Sequence, residues 1–583
     1  MSDRRLSRCW RALLASVLLL LLSACAVSPA KRQAADELVA HFHAEASAGQ
    51  PDGQAWPLPA LEPVDDGRHR LVLIDRGDDS LAMRLHLIRT ATRSIDIQNY
   101  IFLLDDSGEL LLDELIAAAH RGVRVRLLVD SLFSLPDETL LASLELIHPN
   151  FELRLYRPIL NQAVVTDAEF LSAIFCCFGA LNQRMHNKLM VVDGVHGLIG
   201  GRNYSARYFD LDTRMVFLDI ETLVSGPVVT DMRRGFDQFW ADQQVVPPRY
   251  TRRVNRGLLE SPSTSVNLTR SARLEALNEQ FSDGAWLNRL MEEQGYWVDS
   301  VSYFSDLPPD RALWEDPPED DSTSVIHALI AAAEREVVIQ SPYVVLSRRL
   351  TGVLKSLDPE VRLTISSNSL ASTDAFPVYA VSRKQRTFLL ERLGVEFFEL
   401  KPYPPDPARF VPRYSDLIKE RAAGIATPMR GDVPLPTREM PGPRLSLHGK
   451  LLVIDGRYSV VTSHNLDPRS ESWNTENGIV VDDPAFAEAL LRYVDQVTDP
   501  ANSWVSALQP TSGGVLSSIN RTGAALSRKL PILDIWPDYR FEQFDVDGDQ
   551  TVPVGLSPEV AAWQRRWITS MVSRMMGFLR PIL

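Results

Sequence analysis

The chain has 583 residues, of which 61 are Lys or Arg and 75 are Asp or Glu, so its formal net charge at pH 7 is −14. Apolar residues make up 45% of the sequence, which is typical of a folded protein and excludes wholesale disorder. An acidic chain without a run of basic residues lacks the charge that a general nucleic-acid binder uses to neutralise phosphates. We therefore expect no nucleic-acid partner.

The N-terminus has the pattern of an export signal. Four Arg residues between positions 4 and 11 precede the apolar stretch Ala12–Ala24, which is too short to span a bilayer as a helix. The following Cys25 completes a sequence that resembles the lipobox of bacterial lipoproteins. The resemblance implies that residues 1–24 are removed and that Cys25 is lipidated, which places the protein in the bacterial cell envelope, anchored to a membrane and facing the periplasm. An ordinary signal-peptide cleavage site is the alternative.

The mature chain would keep one further pair of cysteines. Cys176 and Cys177 are adjacent, which is not the spacing of a disulfide framework. They lie in the apolar stretch Leu171–Ala180, so we interpret them as core residues rather than as a redox or metal site.

One order of elements occurs twice along the chain. Each half has a strand, a helix and a second strand, predicted at Ser94–Tyr100, Glu109–His120 and Val123–Val129, and again at Val337–Tyr343, Leu350–Leu357 and Val361–Ile365. Strands that alternate with helices predict an α/β architecture with a mostly parallel or mixed sheet.

These repeats suggest a division of the mature chain into five parts. They are an N-terminal linker (25–64), a first half (65–255), a connector (256–321), a second half (322–500) and a C-terminal extension (501–583). In the extension, apolar residues from Val560 to Met575 recur at helical spacing with Arg residues nearby. This pattern is typical of an amphipathic helix, which either lies in a lipid interface or docks on the enzyme.

A polar motif also occurs once in each half with the same spacing. From each His, a Lys lies at +2, an Asp at +7, a Gly at +8 and an Asn at +17. The two copies are His186, Lys188, Asp193, Gly194 and Asn203, and His448, Lys450, Asp455, Gly456 and Asn465. If each polar type fills about one position in twenty, the chance of this double match is on the order of one in a million. The repeat predicts one functional site.

The Asp-Gly pair between two apolar runs predicts a two-residue β-hairpin in each copy. In that register His186 lies opposite Gly201, and Lys188 and Asn203 share its face because side chains alternate along a strand. In the second copy His448 lies opposite Ser463 in the same way. The Asp of each copy has the opposite parity, so the register makes it a turn residue.

The chemistry of the converging groups suits a phosphate ester. Lys supplies a positive charge and Asn an amide donor, and both bind phosphate oxygens. Histidine titrates near neutrality, so one copy can attack phosphorus while the other protonates the departing alcohol.

The two copies resemble the HKD motifs of the phospholipase D superfamily, and the resemblance extends from about Leu71 to Asp499. It implies two α/β halves with mixed sheets, related by a pseudo-twofold axis, with one metal-free active site at their junction. It also implies double displacement through a phosphohistidine. The sequence has no nucleotide-binding P-loop, zinc-binding helix or Cys-x-x-Cys pair, so we expect no cofactor and no metal.

The resemblance also implies a role for each residue of the site. His186 is the expected nucleophile and His448 the expected general acid and then base, although the residues alone do not decide which His attacks. The catalytic motifs also contain Lys188, Asp193, Lys450 and Asp455. The residues expected to bind phosphate or orient a His are Asn203, Asn465, Ser463, Glu476 and, as a weaker match, Asp219. Gly201 stands where Ser463 stands in the second copy, so only one hydroxyl reaches the site.

Within the superfamily, four segments look most like the bacterial cardiolipin synthases, especially the C type. They are residues 184–188, 199–203, 225–229 and 465–470. The likeness implies phosphatidyl transfer between membrane phospholipids, with phosphatidylglycerol and phosphatidylethanolamine as substrates, at a membrane surface reached through the lipid anchor. Hydrolysis to phosphatidic acid is the alternative, followed by a nuclease of the same superfamily and an inactive lipid-binding scaffold.

Overall fold

The computed structural model describes residues 27–46, 58–268, 272–309, 321–425, 440–508, 541–547, 550–555 and 560. The predicted signal peptide, Cys25 and the predicted C-terminal helix apart from Val560 lie outside these residues. In the part of the chain described here, no helix is both long enough and apolar enough to cross a membrane.

Helices and strands follow one another along most of this chain. The helices are α1 (Pro29–Ala46), α2 (Gly77–Thr90), α3 (Asp106–His120), α4 (Glu138–Leu146), α5 (Asp167–Cys176), α6 (Phe178–Asn182), α7 (Val229–Trp240), α8 (Arg252–Glu260), α9 (Ala272–Ser282), α10 (Ala285–Glu293), α11 (Ser322–Ala331), α12 (Arg348–Ser356), α13 (Phe376–Arg392), α14 (Tyr414–Ala422), α15 (Pro468–Ser472) and α16 (Pro484–Thr498). The strands are β1 (His69–Ile74), β2 (Ser94–Asn99), β3 (Arg124–Asp130), β4 (Phe151–Tyr156), β5 (Leu189–Val192), β6 (His196–Gly200), β7 (Met215–Leu218), β8 (Glu221–Ser225), β9 (Val245–Val246), β10 (Gly295–Val298), β11 (Val301–Ser305), β12 (Glu336–Gln340), β13 (Arg362–Asn368), β14 (Glu396–Leu400), β15 (Arg444–Leu447), β16 (Leu451–Ile454), β17 (Tyr458–Thr462), β18 (Asn477–Asp482), β19 (Ser503–Leu508), β20 (Phe541–Asp547) and β21 (Gln550–Gly555).

The two large sheets share one topology. The first has the order β10-β1-β8-β6-β5-β2-β3-β4-β9, and the second has the order β11-β18-β17-β16-β12-β13-β14-β19-β20-β21. In the first sheet β2, β3 and β4 run parallel while β5 joins β2 antiparallel, and β12, β13, β14 and β16 repeat this arrangement in the second. The predicted α/β class with mixed sheets is confirmed, and the predicted strands and helices of both halves occur within a few residues of their expected bounds.

The segment between the halves contributes to both sheets. Strand β10 pairs antiparallel with β1 at the edge of the first sheet. Two residues later, β11 pairs antiparallel with β18 at the edge of the second. The predicted connector is therefore the place where the chain passes from one sheet to the other.

A hydrophobic core shared by both halves holds the two sheets together. Val191 and Ile199 of the first sheet belong to the same buried cluster as Val453, Val461 and Ile479 of the second. Each of these side chains is at most 1% exposed. Burying aliphatic side chains of this kind stabilises a fold by roughly 1.5–3 kcal/mol per residue, so the shared cluster stabilises the junction of the halves.

The hairpin of each motif differs from the predicted one by one residue. Asp193 and Gly194 both have positive φ, as the Asp-Gly pair predicts, but Val195 also belongs to the loop and Val192 pairs with His196. The second hairpin has the same three-residue loop. The predicted register was therefore wrong, because an extra loop residue shifts the pairing in the way a β-bulge does.

The Asp residues of the two motifs are structural. The carboxylate of Asp193 accepts backbone N–H bonds from residues 92, 93 and 94, at the start of β2. Asp455 accepts the equivalent bonds from residues 334, 335 and 336, at the start of β12. Both carboxylates fasten their hairpin to the neighbouring strand, which is the structural role that their odd spacing from the His suggested; the catalytic role expected from the resemblance stays a prediction.

The apolar stretch around the cysteines is not part of the core. Cys176 is exposed and Cys177 is half-buried at the end of α5, and a disulfide joins them. Along this helix Leu171 is 60% exposed and Phe175 is 90% exposed, whereas Ala173 is buried. The interpretation of the pair as core was wrong because α5 turns most of its apolar side chains outward.

The bonds made by Asp455 predict a measurable stability change. Replacing it with Ala removes the acceptor of three backbone N–H groups at a solvent-accessible site, which should lower the free energy of unfolding by about 1–3 kcal/mol. Asp455→Asn keeps one acceptor oxygen and tolerates positive φ, so its loss should be smaller. The urea midpoints of the wild type and the two variants measure this order.

The same variants carry a pH signature. Burial raises the pKa of Asp455, but the three backbone amides outweigh it, and the pKa lies below its usual value. Its stabilising contribution is therefore present above the unfolded pKa of about 3.9 and is lost as the pH falls through the lower folded value. A difference between wild type and Asp455→Ala that persists undiminished in acid would contradict this account.

Candidate active site

Two backbone contacts between the halves position the motif histidines. Met185, which precedes His186, forms a parallel bridge with Thr475 of the second half. Strand β15, which precedes the second motif His, pairs parallel with β7 of the first half, so that Leu447 lies opposite Leu218. The residue before each His is thus paired with the residue before an acid, and the two contacts are equivalent under the exchange of halves.

Each His is hydrogen-bonded to an acid from the other half. Nδ1 of His186 lies 2.8 Å from Oε2 of Glu476, and Nδ1 of His448 lies 2.6 Å from Oδ2 of Asp219. Both acids are fully buried. Because a carboxylate only accepts, Nδ1 of each ring carries the proton and Nε2 is the nitrogen available for chemistry. Glu476 and Asp219, the weaker match in the sequence, therefore both lie where an orienting acid is needed.

The two motif lysines lie beside the histidines and are almost completely buried. Nζ of Lys188 donates to the carbonyl oxygen of His186 at 2.7 Å, and Nζ of Lys450 donates to the carbonyl oxygen of His448. Lys188 is 2% exposed and Lys450 is 1% exposed. Each ammonium has a further N–H available to a bound anion, because three protons are present and the carbonyl accepts only one.

The residues expected to bind phosphate differ between the halves. Nδ2 of Asn203 donates to the hydroxyl of Tyr208 at 2.9 Å, and Oδ1 of Asn203 accepts from the N–H of Ile101. The amide of Asn465 makes no side-chain hydrogen bond to a residue within the described ranges, and its Oδ1 is buried. Asn465 is the better placed of the two to donate to a phosphate oxygen.

The Gly-for-Ser difference between the motifs has a steric cause. A Cβ at Gly201 would collide with the carboxylate of Asp219. At the equivalent position, the hydroxyl of Ser463 instead donates to Oε2 of Glu476, the oxygen that also faces His186. The single hydroxyl predicted for the site therefore acts on one orienting acid.

Two tyrosines that the sequence did not identify also lie against the histidines. The hydroxyl of Tyr208 is 3.2 Å from Nε2 of His448, and the ring of Tyr100 packs edge-on against His186 at a centroid distance of 4.9 Å. Tyr208 lies five residues after Asn203, the same spacing as Ser470 after Asn465. Because the two copies differ at this position, the repeat gives no signal for Tyr208.

Burial and the lysines make both imidazoles poor bases. Burial and the neighbouring Lys188 and Lys450 hold the pKa of His186 well below its usual value. Burial and Lys450 lower the pKa of His448 to about 4, although Asp219 acts in the opposite direction. Burial also lowers the pKa of Lys188 to about 7 and that of Lys450 to about 8. Both histidines are therefore neutral near pH 7.

The charges of the site fit one phosphodiester. When all four are ionised, Lys188 and Lys450 balance Glu476 and Asp219, so a bound diester adds one negative charge to these groups. Protonation of one imidazole offsets that charge. Binding of an anionic ester therefore raises the pKa of the histidines, because an opposite charge within a few ångströms favours the protonated form. Among the described residues, no group of three or more His, Cys, Asp or Glu is arranged to hold a metal ion.

Comparison with known proteins agrees with this geometry. The family described as "Cardiolipin synthase, PLD-like domain" matches residues 85–240 and residues 321–498, one match in each half. Cardiolipin synthase C of Escherichia coli K12 is 31% identical over 466 residues, which cover 76% of this chain and 88% of that protein. Cardiolipin synthase B of the same organism is 22% identical, covering 75% of this chain and 84% of that protein.

A solved structure supports the fold. The crystal structure of phosphatidylserine synthase from Haemophilus influenzae Rd KW20 superposes with a TM-score of 0.50 at 15% identity, covering 82% of this chain and 98% of that chain. At this identity the likeness concerns the architecture alone. The paired family matches and the 31% identity to cardiolipin synthase C show that the chain belongs to the family described as "Cardiolipin synthase, PLD-like domain", with one such domain in each half.

Proposed function

We propose that this protein transfers phosphatidyl groups between membrane phospholipids through a phosphohistidine on His186, and that its product is cardiolipin. The observation that carries the proposal is that each His is hydrogen-bonded to an acid of the other half. These bonds hold His186 and His448 in one buried site with two lysines. The relatives named cardiolipin synthase support the choice of substrate class.

In the first step, Nε2 of His186 attacks the phosphorus of a phosphodiester. The bond between phosphorus and the leaving alcohol breaks, and the proton on Nε2 of His448 passes to the departing oxygen. Glu476 accepts a hydrogen bond from Nδ1–H of His186 and stabilises the positive charge that the ring acquires. Lys188 and Lys450 stabilise the negative charge on the phosphoryl oxygens, where a water-poor site strengthens the interaction.

In the second step, His448 acts as a base. A hydroxyl of the acceptor gives its proton to Nε2 of His448 as its oxygen attacks phosphorus, and the bond to His186 breaks. Asp219 accepts from Nδ1 of His448 throughout and holds the ring in one orientation. When the acceptor is phosphatidylglycerol the product is cardiolipin, and when it is water the product is phosphatidic acid.

Exposed apolar side chains near the site support action at a lipid surface. Phe175 and Leu171 project from α5. Helix α6 follows directly and begins with Phe178, whose ring centroid lies 6.1 Å from that of Trp473. Trp473 lies three residues before the orienting acid Glu476. Phe133, which is 41% exposed, contacts Tyr100, and Tyr100 contacts the nucleophile. Ring contacts therefore link apolar side chains of the first half to residues beside the site.

The proposed cellular location is the bacterial envelope, with Cys25 lipidated. Helix α1 begins four residues after this cysteine and is held to the first half by Asp36, which accepts from Arg249 at 2.6 Å and from Tyr250 at 2.9 Å. A lipid on Cys25 would therefore keep the first half close to the bilayer. Mass spectrometry of the N-terminal peptide from membrane fractions tests this proposal, and an unmodified Cys25 would refute it.

The products of the reaction test the function. With labelled phosphatidylglycerol in vesicles, alone and with phosphatidylethanolamine, the wild type should form cardiolipin. Phosphatidic acid in place of cardiolipin would identify a phospholipase. If neither product forms, a nuclease or a scaffold is favoured.

His186→Asn should lower the turnover by at least about 10³-fold, because the nucleophile is lost. A variant that retains full turnover would refute the nucleophile assignment. The matched control is His41→Asn, because His41 is an exposed residue of α1 that makes no contact with the site.

The lysines predict how anion binding depends on pH. Because burial lowers the pKa values of Lys188 and Lys450 to about 7 and about 8, both ammonium groups lose their protons as the pH rises above these values. The affinity for inorganic tungstate, an inert phosphate mimic, should therefore fall by at least about tenfold between pH 6.5 and pH 9. Calorimetric titration measures it, and Lys188→Met should weaken binding at pH 6.5 and flatten the dependence.

The exposed face of α5 predicts that variants of this face lose activity on phospholipid vesicles but keep activity on dispersed monomeric substrate. Leu171→Ser together with Phe175→Ser removes exposed apolar surface without opening the core, so the fold should be retained. Activity on phospholipid vesicles should fall at least about fivefold, while activity on short-chain monomeric phospholipid should stay within about twofold. The exposed Val552→Ser is the control, and an equal loss on both substrates would contradict a role in membrane contact.

A further inference from the structure

The two halves present different side chains at one equivalent place, the loop that follows the second parallel strand of each sheet. Strand β3 ends at Asp130, and β13 ends at Asn368. In open α/β sheets, ligands bind at the carboxyl ends of such strands. The loop after β3 exposes Phe133, and the loop after β13 exposes Asp374. An aromatic ring in one half therefore stands where the other half has a carboxylate.

The two strand ends fix these loops relative to the motif histidines. Asp130 accepts from the backbone N–H of Met185 at 3.2 Å. Asn368 holds Leu447 by two bonds, since its Oδ1 accepts from the N–H of Leu447 and its Nδ2 donates to the carbonyl oxygen, each at 2.8 Å. Met185 and Leu447 are the residues that precede the two motif histidines. Each loop is therefore attached beside the His of its own half.

The loop beside His186 has aromatic surroundings. Phe133, which is 41% exposed, packs against Tyr100 at a centroid distance of 5.1 Å. Tyr100 in turn packs against the imidazole of His186 at 4.9 Å. Neither ring carries a charge with which to bind a polar headgroup.

The loop beside His448 has polar surroundings. The hydroxyl of Tyr343 donates to the carboxylate of Asp374, with its oxygen 2.9 Å from Oδ1 and 3.0 Å from Oδ2. Burial raises the pKa of this hydroxyl well above 10, so the proton stays on the phenol. The carboxylate is exposed and makes no ion pair with any residue in the described ranges. A single donor leaves most of its lone pairs available to a ligand.

Tyr343 lies beside the Asn of the second motif. Val344, which follows Tyr343, forms a parallel bridge with Leu466, which follows Asn465. Oδ1 of Asn465 is buried and has no hydrogen-bond partner within the part of the chain described. It is therefore a second oxygen on this side that can accept from a ligand.

The charge of Asp374 acts on the catalytic groups of the second motif. Burial lowers the pKa of His448 to about 4 and Lys450 acts in the same direction, whereas Asp219 and Asp374 oppose them. Burial also lowers the pKa of Lys450 to about 8, and Asp374 is again among the acids that oppose the shift. The carboxylate therefore lies within the range of a direct electrostatic interaction with both groups.

The reaction places a headgroup on this side. Attack and departure at phosphorus are in line, so the leaving alcohol lies opposite the attacking His186 and next to His448. The acceptor enters at the same place, because His448 must deprotonate it. The headgroup of the donor and the hydroxyl of the acceptor therefore both lie on the side where Asp374 is exposed.

We propose that Asp374, held by Tyr343, binds the phospholipid headgroup next to His448, and that its charge sets the preference between an ammonium headgroup and an uncharged one. The proposal rests on the proposed function and adds the residue that distinguishes the headgroups. A hydroxyl and an ammonium group can both donate to the carboxylate, but the ammonium group also gains a charge–charge interaction. Phe133 in the equivalent loop has no charge that could do this.

The headgroups released from two competing donors test the proposal. Wild type and Asp374→Asn are given vesicles with equal amounts of phosphatidylethanolamine and phosphatidylglycerol, each labelled in its headgroup. Free ethanolamine and free glycerol report the donor used, whether the acceptor is a lipid or water. Asn keeps the shape of the side chain and loses its charge, so the ratio of ethanolamine to glycerol should fall about three- to fivefold. An unchanged ratio would overturn the proposal, and a loss of folded enzyme does not move a ratio.

The matched control is Asp358→Asn. Asp358 is exposed and lies just before β13, at the other end of the strand that leads to Asp374. Its replacement removes the same charge from the protein, and the ratio should equal that of the wild type. A fall as large as that of Asp374→Asn would mean that the net charge of the protein at the vesicle surface sets the ratio, which would overturn the proposal.

Tyr343 is a positioning residue with a test of its own. Tyr343→Phe removes the hydroxyl but keeps the carboxylate, so the ratio should fall by only about twofold. Combined with Asp374→Asn it should cause no further fall, because the hydroxyl acts only through the carboxylate. A further fall in the double variant would contradict this role.

A binding measurement does not depend on turnover. In His186→Asn, which lacks the nucleophile, calorimetry gives dissociation constants for sn-glycero-3-phosphoethanolamine and sn-glycero-3-phosphoglycerol, two soluble diesters. Adding Asp374→Asn should weaken the first about fivefold and the second less than about twofold. An equal effect on both, or no effect on either, would overturn the proposal. If the wild type releases neither headgroup, the proposed function fails, and these constants still decide whether Asp374 binds the ammonium group.

Discussion

The structure depends on burying two lysines, two carboxylates and two imidazoles in one place. Taking such groups out of water is costly unless each is paired, and the pairing here is possible only when both halves are present. His186 lies on Glu476 and His448 lies on Asp219, so neither half contains a complete arrangement. The shared apolar core between the sheets and the two parallel backbone contacts hold the halves in the register that makes these pairs.

The repeated polar spacing predicted the main parts of the site. It identified both histidines, both lysines and the architecture of two α/β halves, because strand periodicity and motif spacing are local properties of a sequence. The Asp-Gly turn was also predicted with positive φ at both residues. The register was missed by one residue, because a third loop residue leaves no mark in the apolar pattern on either side of the turn.

Long-range contacts could not be predicted from spacing. Nothing in the residues around His186 indicates that its acid lies 290 positions away in the other half. The resemblance to a known family supplied Glu476 and Asp219, and the geometry then explained why residue 201 is Gly, since the carboxylate of Asp219 fills the space of a Cβ. Tyr208 was missed because it falls outside the repeated motif, where the copies diverge.

Because each His is held by an acid of the other half, a substitution in one half affects the site residue of the other. A substitution that moves Thr475 or Leu218 displaces the acid that follows it in the chain. The imidazole of the opposite half then loses the hydrogen bond that orients it. The two halves can therefore differ at positions outside the paired strands, as Tyr208 and Ser470 do, but the paired strands must stay matched to each other. If this arrangement arose by gene duplication, the two halves could no longer be inherited separately, because the His of each half needs a carboxylate of the other.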